Sequence, residues 1–326
     1  MQIPKIPQFL KNTCAMYFVL LKAMVPTMIL VKLAIVFGLL DSLAFVLTPI
    51  MAVVGLPAAT ALVFASGLLV NTYAACAALL TILPFTPLSI AEVTVLLSMV
   101  MIAHALPLEQ GISRKAGLSF VFSSGLRFVT GITYGLILYY VYSGFDVLST
   151  PVDLSWMTPL QTTSEQTWFD WAVSSVSMLF SLFWVILALV VLLRMLEYLK
   201  ITDFLARLFS PILSVMGISP QATSITMVGV LLGLSYGGGL IIKEAREGRI
   251  APKDVVLSLS FMGICHGLIE DPLFMMAFGG HWSGVLVGRF VFCVLVIALL
   301  SRALNLISEK TFFRLFYRPQ KQQAKA

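Results

Sequence analysis

Two histidines of the chain stand in similar local settings, each followed closely by acids. Glu109 comes five residues after His104, and Glu270 and Asp271 come four and five residues after His266. Residues four apart share a face of a helix, so His266 and Glu270 are expected to point the same way. An imidazole titrates near neutral pH, and beside a carboxylate it can exchange protons, orient a polar ligand or bind a metal ion. The spacing therefore predicts chemistry at both segments.

Both histidines lie deep within apolar runs. An ionisable group at membrane depth costs several kcal/mol, roughly 2.5–3.5 kcal/mol for arginine, so it is usually paired or functional. Arg127 and Arg289 follow the two histidines at matching distances. We predict a single buried polar network that is either proton-coupling or structural, with the members His104, Glu109, Arg127, His266, Glu270, Asp271 and Arg289.

Three interpretations of this network are open. The arginines can pair with the acids and hold the helices in register. The histidines can form a proton relay or a substrate site. Two histidines with carboxylates can also bind a metal ion, but the chain has no H-E-x-x-H spacing and no cysteine ligand pair. The sequence therefore assigns no metal and no cofactor.

A second group of polar and small residues could contact a solute directly. Its members are Asn71, Tyr73, Ser235, Tyr236, Gly237, Gly238 and Gly239. Three consecutive glycines weaken a helix, and a broken helix in a bilayer is tolerated only where it lines a buried or watery cavity. The alternative is close packing of helices through small residues. We predict a substrate-binding role for this group.

Composition places the chain in a membrane. Of 326 residues, 59% are hydrophobic and 11% are charged, whereas a soluble domain has about 25% charged residues. A water-soluble globule is excluded. The formal charge is +6, but the basic residues lie in short loops between apolar runs, so nucleic acid is not an expected partner. The four widely spaced cysteines fit neither a zinc site nor a disulfide framework; they are Cys14, Cys76, Cys265 and Cys293.

Apolar runs can be counted as crossings, because a bilayer core of about 30 Å needs about 20 apolar residues per helix. Eight runs are clear and two are short, each of the short ones with a central proline. The clear runs are 14–38, 58–84, 90–108, 118–142, 172–194, 221–242, 254–279 and 284–304, and the short ones are 41–56 and 203–218. The short runs cross the bilayer, re-enter on the same side or lie at its surface, and length alone does not decide between these three.

The distribution of charge favours ten crossings with both termini in the cytoplasm. Seventeen of the twenty-one Lys and Arg then lie on the cytoplasmic side, as the positive-inside rule requires. The stretch 143–171 holds four acids and no Lys or Arg, so it lies outside. The predicted organisation is a first membrane repeat over 1–142, an extracytoplasmic linker over 143–171, a second repeat over 172–304 and a basic cytoplasmic tail over 305–326.

The chain contains an internal repeat. Residues 41–129 written over 203–291 give nineteen identities in 89 positions without a gap, and His104/His266 and Arg127/Arg289 are among them. An odd number of spans per copy inserts the second copy upside down, as in many secondary transporters. The expected fold is an all-α polytopic membrane protein of about ten transmembrane helices, arranged as two inverted five-helix repeats.

Two motifs carry a resemblance to a known family. The stretches GLSYGGGLIIKEAR at 233–246 and CHGLIED at 265–271, with counterparts at 69–73 and 103–109, resemble bacterial inner-membrane proteins of the nucleoside recognition, or Gate, domain family. The family is similar to concentrative nucleoside transporters, so the resemblance implies a nucleoside-like solute. Related segments occur in ferrous iron transporters and spore maturation proteins, but the sequence has no GTPase motif, which disfavours iron transport.

These observations favour a secondary transporter in the bacterial cytoplasmic membrane that moves a small polar solute, with proton coupling. The alternative is a non-transporting scaffold or assembly factor with the same fold. An enzyme is not expected, because no nucleophile and base pair stands out. The expected partners are the lipid bilayer and a small-molecule solute, and assembly into a homo-oligomer is left open.

Overall fold

The computed structural model describes residues 48–154, 167–198 and 211–318, with the isolated positions 21, 25, 26, 29, 33, 208 and 209. Most of the predicted run 14–38, the first part of 41–56, the middle of the linker, most of the first half of 203–218 and the end of the tail lie outside these residues. The described residues form helices and no β-strand; two isolated backbone bridges are the only extended pairings among them. The all-helical class predicted from the sequence is confirmed.

The described helices follow one another through short turns. Their bounds are α1 Thr60–Leu69, α2 Thr72–Ile82, α3 Ile90–Ala103, α4 Leu106–Lys115, α5 Phe120–Gly144, α6 Trp168–Tyr198, α7 Pro220–Leu232, α8 Leu234–Arg246, α9 Pro252–Cys265, α10 Glu270–Ala277, α11 Arg289–Leu306 and α12 Glu309–Leu315. A π-helical turn, Ser283–Gly288, leads directly into α11.

Within the described residues, four helical segments are long and apolar enough to cross a membrane. Two of them, Ile90–Lys115 and Pro252–Ala277, are interrupted in the middle and lie at the centre, with 72% and 83% of their most apolar stretch buried. The other two, Phe120–Gly144 and Ser283–Leu306, are only 39% and 28% buried in that stretch. Apolar side chains that remain exposed on a long helix are favourable against lipid. The interrupted segments are therefore the core, and the continuous segments surround it.

Two predicted continuous runs are in fact pairs of shorter helices. The run 58–84 divides into α1 and α2 at Asn71, and the run 221–242 divides into α7 and α8 at Gly233. Gly233 has φ +101°, which a residue without a Cβ adopts readily. The sequence placed the weak point of this run at the three glycines 237–239, but the backbone is helical there. The break is one turn earlier because only Gly233 leaves the helical region.

The linker and the tail contact opposite ends of the segment formed by α3 and α4. At the start of α3, the Ile90 N–H donates to the carbonyl of Thr150 in the linker over 2.9 Å. After the end of α4, the Ser119 N–H donates to the carbonyl of Phe316 in the tail over 2.8 Å. The residues of α3 and α4 together are numerous enough for a membrane crossing, and the linker contacts the start of this segment while the tail contacts the turn after its end.

Helix bounds correspond between the two halves at the offset of 162 residues. Helices α3 and α9 begin and end at equivalent positions. Positive φ angles also recur at equivalent positions, at Ala105 and Gly267 and at Gly55 and Gly217. These equivalent positions therefore share their backbone conformation, also where the residue types differ, as at Ala105 and Gly267.

Two glycines give a matched test of the packing. Gly55 has φ +69°, and a Cβ added there would collide with the ring of Tyr139, whereas Gly125 lies inside α5 with no atom within 4 Å of an added Cβ. We expect Gly55→Ala to lower the free energy of unfolding by about 1–3 kcal/mol, through overpacking and backbone strain. Gly125→Ala should raise it by about 0.5–1 kcal/mol through helix propensity. Thermal unfolding in detergent measures both, and equal shifts would contradict this packing.

Candidate functional site

Both histidines stand where a helix is interrupted. His104 follows α3 with φ −84° and ψ 163°, and His266 follows α9 with φ −80° and ψ 171°. The next residue in each case is left-handed, with φ 48° at Ala105 and φ 61° at Gly267. On the first side Pro107 restarts the helix, since proline is favoured in the first turn.

Each interruption frees a backbone amide, and a helix of the same half accepts it. The Ala105 N–H donates to the carbonyl of Gly67 in α1 over 2.9 Å, and the Leu268 N–H donates to the carbonyl of Val230 in α7 over 3.1 Å. A free amide in a bilayer costs several kcal/mol, so these bonds stabilise the interruptions.

The two histidines meet at the centre of the molecule. Their Nε2 atoms are 3.1 Å apart and their ring centroids 4.8 Å apart, and the residues are 5% and 6% exposed. The sequence reasoning brought both histidines to one interior, and the structure places them in direct contact.

The backbone fixes the tautomer of both rings. His104 Nδ1 lies 3.2 Å and 3.0 Å from the carbonyl oxygens of Val100 and Met101, and His266 Nδ1 lies 2.7 Å from that of Met262. A carbonyl only accepts, so each Nδ1 carries the hydrogen and donates it. In the neutral rings each Nε2 is then an acceptor, and two acceptors face each other.

Glu109 adds a third acceptor to this point. Its Oε1 lies 3.3 Å from Nε2 of His104 and 3.3 Å from Nε2 of His266. Its other oxygen accepts from the Arg127 guanidinium, which also donates from Nε to the Ile102 carbonyl over 2.8 Å. We call His104, His266 and Glu109 the acceptor cluster. Three lone pairs converge there, and a shared proton or a bound cation makes that arrangement favourable.

Among the described residues, the second half shows no ion pair that matches Glu109–Arg127. Arg289 donates from Nε to the Ile264 carbonyl over 3.2 Å and from Nη2 to the His266 carbonyl over 3.0 Å. Asp271, the equivalent of Glu109, is part of no ion pair among the described residues, and its carboxylate lies over Gly267. The predicted pairing of arginine with acid therefore holds for Arg127 alone within the described part.

The shared helix face predicted for His266 and Glu270 is wrong. His266 lies in the interruption after α9, whereas Glu270 is the first residue of α10. The residues between them include Gly267 with its positive φ, so no continuous helix joins the two side chains. Glu270 is partly exposed and makes no ion pair in the described part of the chain.

The predicted solute-binding residues have separate positions. Asn71 caps α2, where its Oδ1 accepts from the Ala74 N–H over 2.9 Å, which gives it a structural role. Tyr73 packs edge-on against Phe274 of α10 at a centroid distance of 5.1 Å, so α2 of the first half contacts the second half beside Asp271. Residues 235–239 belong to α8, and their side chains lie outside the described part of the chain.

The sequence reasoning missed two buried serine hydroxyls, on Ser98 of α3 and Ser260 of α9, and it named Arg127 and Arg289 without identifying their unpaired nitrogens. Ser98 Oγ, Ser260 Oγ, Arg127 Nη2 and Arg289 Nη1 have no hydrogen-bond partner among the described residues. Buried polar groups are nearly always satisfied, so such atoms mark places where a ligand or water binds. The signal was present in the repeat, where Ser98 and Ser260 are equivalent and identical.

Interrupted apolar helices around a buried polar centre define the chain as a helical integral membrane protein. It is similar to the uncharacterized membrane protein YvoD of Bacillus subtilis (strain 168), at 27% identity over 267 residues that cover 79% of this chain and 81% of YvoD. No protein-family model matches the chain, and no solved structure is similar to it. The relation to the nucleoside recognition family stays a resemblance in sequence motifs.

Proposed function

We propose that the chain is a secondary transporter of a small polar solute, coupled to protons at the acceptor cluster. The observation that carries this proposal is the convergence of three lone pairs, from His104, His266 and Glu109, where the two interrupted helical segments meet. Ionisable residues inside a membrane bundle mark proton or substrate pathways in transporters. Interrupted helices at mid-membrane are the usual place for such sites.

The proposed architecture is two five-helix repeats inserted in opposite orientation, with ten crossings, in the bacterial cytoplasmic membrane. The equivalent bounds of α3 and α9 support two copies of one unit. The contacts of the linker and the tail at opposite ends of α3 and α4 support cytoplasmic termini and an extracytoplasmic linker. Alternating access then consists of rocking between the two halves.

A single proton is the coupling element of this mechanism. Glu109 and Arg127 form an ion pair with no net charge, so the deprotonated cluster holds two neutral imidazoles. A proton on one Nε2 donates to the other Nε2 or to Glu109 Oε1 and holds the two interruptions together. Loss of the proton leaves three acceptors in mutual repulsion, which favours separation of the halves.

The solute in this proposal is nucleoside-like, as the resemblance implies. Tyr73, Ser235, Tyr236 and the glycines 237–239 would contact it, and so would the amide nitrogen of Asn71, whose oxygen caps α2. Tyr73 supports this assignment, because it lies where the first half contacts α10 of the second. An aromatic ring and amide groups suit a base and a ribose, which offer a flat face and several hydroxyls.

Transport in proteoliposomes tests the proposal. With tritiated uridine and adenosine as probes, we expect uptake that an imposed pH gradient increases. His266→Ala should abolish that increase, because one of the two imidazoles that share the proton is removed. His281→Ala is the matched control, because His281 binds Ser283 outside the cluster over 2.8 Å.

Three outcomes are informative. A pH response retained in His266→Ala would contradict proton coupling at the cluster. Uptake that does not respond to pH would support a transporter but contradict its coupling to protons. No flux of either nucleoside by correctly folded protein would favour the scaffold function over nucleoside transport.

A further inference from the structure

We infer that the acceptor cluster also binds one divalent transition-metal ion. Each residue of the cluster offers one ligand atom, and the three atoms lie within 4.8 Å of one another in a buried position. Two imidazole nitrogens and one carboxylate oxygen form a ligand set that suits zinc and cobalt. This inference goes beyond the proposed transport and stands whether or not the chain moves a solute.

The spacing of the ligand atoms fits a tetrahedral ion. The three edges of the triangle between them are 3.1, 3.3 and 3.3 Å. A tetrahedral ion with bonds of about 2.0–2.1 Å holds neighbouring ligands about 3.3 Å apart. The cluster therefore matches one face of a tetrahedron, with the fourth position open to water or to a ligand.

The groups behind the ligand atoms are also those of a metal site. A histidine ligand usually donates its second ring hydrogen to a carbonyl or carboxylate, which fixes its orientation. Here Nδ1 of His104 contacts the Met101 carbonyl at 3.0 Å, and Nδ1 of His266 contacts that of Met262 at 2.7 Å. Both Nε2 lone pairs are thus turned inward before any ion binds, which lowers the cost of ordering the site.

The surrounding charges set the limits of binding. Arg127 pairs with Glu109, and Arg289 lies behind the His266 carbonyl, so two guanidinium groups oppose a cation. Hard ions such as Mg²⁺ and Ca²⁺, which need six or more oxygen ligands, are excluded. An ion with strong affinity for imidazole binds despite the repulsion from the two guanidinium groups, and an anionic fourth ligand offsets part of that repulsion.

The ligand sequence pattern could not reveal this site. Known metal-binding motifs consist of ligands that are close in sequence, whereas His104 and His266 are 162 residues apart. The absence of such a motif led the sequence analysis to assign no metal. The ligands come together only because two equivalent interruptions meet.

Cobalt binding to purified, tag-free protein in detergent tests the inference. We expect one Co²⁺ per chain with the intense visible absorption of a tetrahedral site, and displacement by Zn²⁺ measured by calorimetry. His104→Gln and His266→Gln should each weaken binding at least tenfold, and His281→Ala should leave it unchanged. Lowering the pH from about 7.5 to about 6 should weaken binding, since protons and the ion compete for the imidazoles of the cluster, beside Glu109 and Arg127.

Either of two results would overturn the inference. One is no cobalt spectrum from wild-type protein that is monodisperse and helical. The other is equal binding by wild type and both histidine variants, each of them verified as folded. The transport assay run in EDTA separates the two proposals: pH-driven uptake without metal binding refutes only the metal site, and metal binding without uptake refutes only transport.

Discussion

Glu109→Gln is expected to lower the free energy of unfolding by about 3–5 kcal/mol. The substitution removes the carboxylate from a buried ion pair and leaves the Arg127 guanidinium, in a residue that is 1% exposed, without a counter-charge. Deletion of one partner of a buried pair has this magnitude because the remaining charge stays desolvated. Unfolding in mixed micelles, followed by circular dichroism, measures the loss.

Two further variants make this result specific. Glu244→Gln removes a carboxylate that lies 3.1 Å from Arg249, whose side chain is 56% exposed, and should cost no more than about 1 kcal/mol. Combining Glu109→Gln with Arg127→Met should recover much of the stability, because no buried charge then lacks a partner. A Glu109→Gln effect as small as that of Glu244→Gln would refute a tightly buried pair.

Asp271→Asn is expected to slow transport at least tenfold, equivalent to about 1.4 kcal/mol, while changing stability by less than about 1 kcal/mol. Asp271 forms no ion pair within the described residues, so little native stability depends on it. If the halves exchange roles during alternating access, Asp271 pairs with Arg289 in the opposite-facing state, as Glu109 pairs with Arg127 here. The variant would destabilise that second state only.

Initial rates of uptake, together with thermal unfolding of the same preparation, separate the two quantities. Asp271→Glu, which keeps the charge, should retain most of the rate, and Glu244→Gln, at a half-buried carboxylate outside the cluster, serves as a control. A normal rate of uptake in Asp271→Asn would contradict this exchange of roles. The ion pair would then belong to the first half in every state of the transporter.

The sequence predicted what depends on composition and on repetition. Apolar run length gave the helical membrane class, and the repeat brought His104 and His266 to a common interior. Burial of charge made an acid beside Arg127 one of the three interpretations of the network, and the structure shows that pair. These predictions rest on hydropathy and charge summed over many residues, or on identical residues at equivalent positions of the repeat.

The backbone conformation of single residues could not be predicted from the sequence. Hydropathy does not show where a helix is interrupted, because one left-handed residue, Gly233 or Ala105, decides it. The choice of Glu109 over Asp271 as the acid at the centre is equally local. A glutamate is one methylene longer, and the Asp271 carboxylate lies back over Gly267.

The bonds from Ala105 to Gly67 and from Leu268 to Val230 join main-chain atoms only. A substitution other than proline leaves the main-chain N–H and carbonyl groups in place, so it does not remove such a hydrogen bond. Side chains in either half can therefore change while the interrupted helix stays bonded to its neighbour. The amino-acid sequence of each half can therefore vary while the half keeps its rigid backbone arrangement.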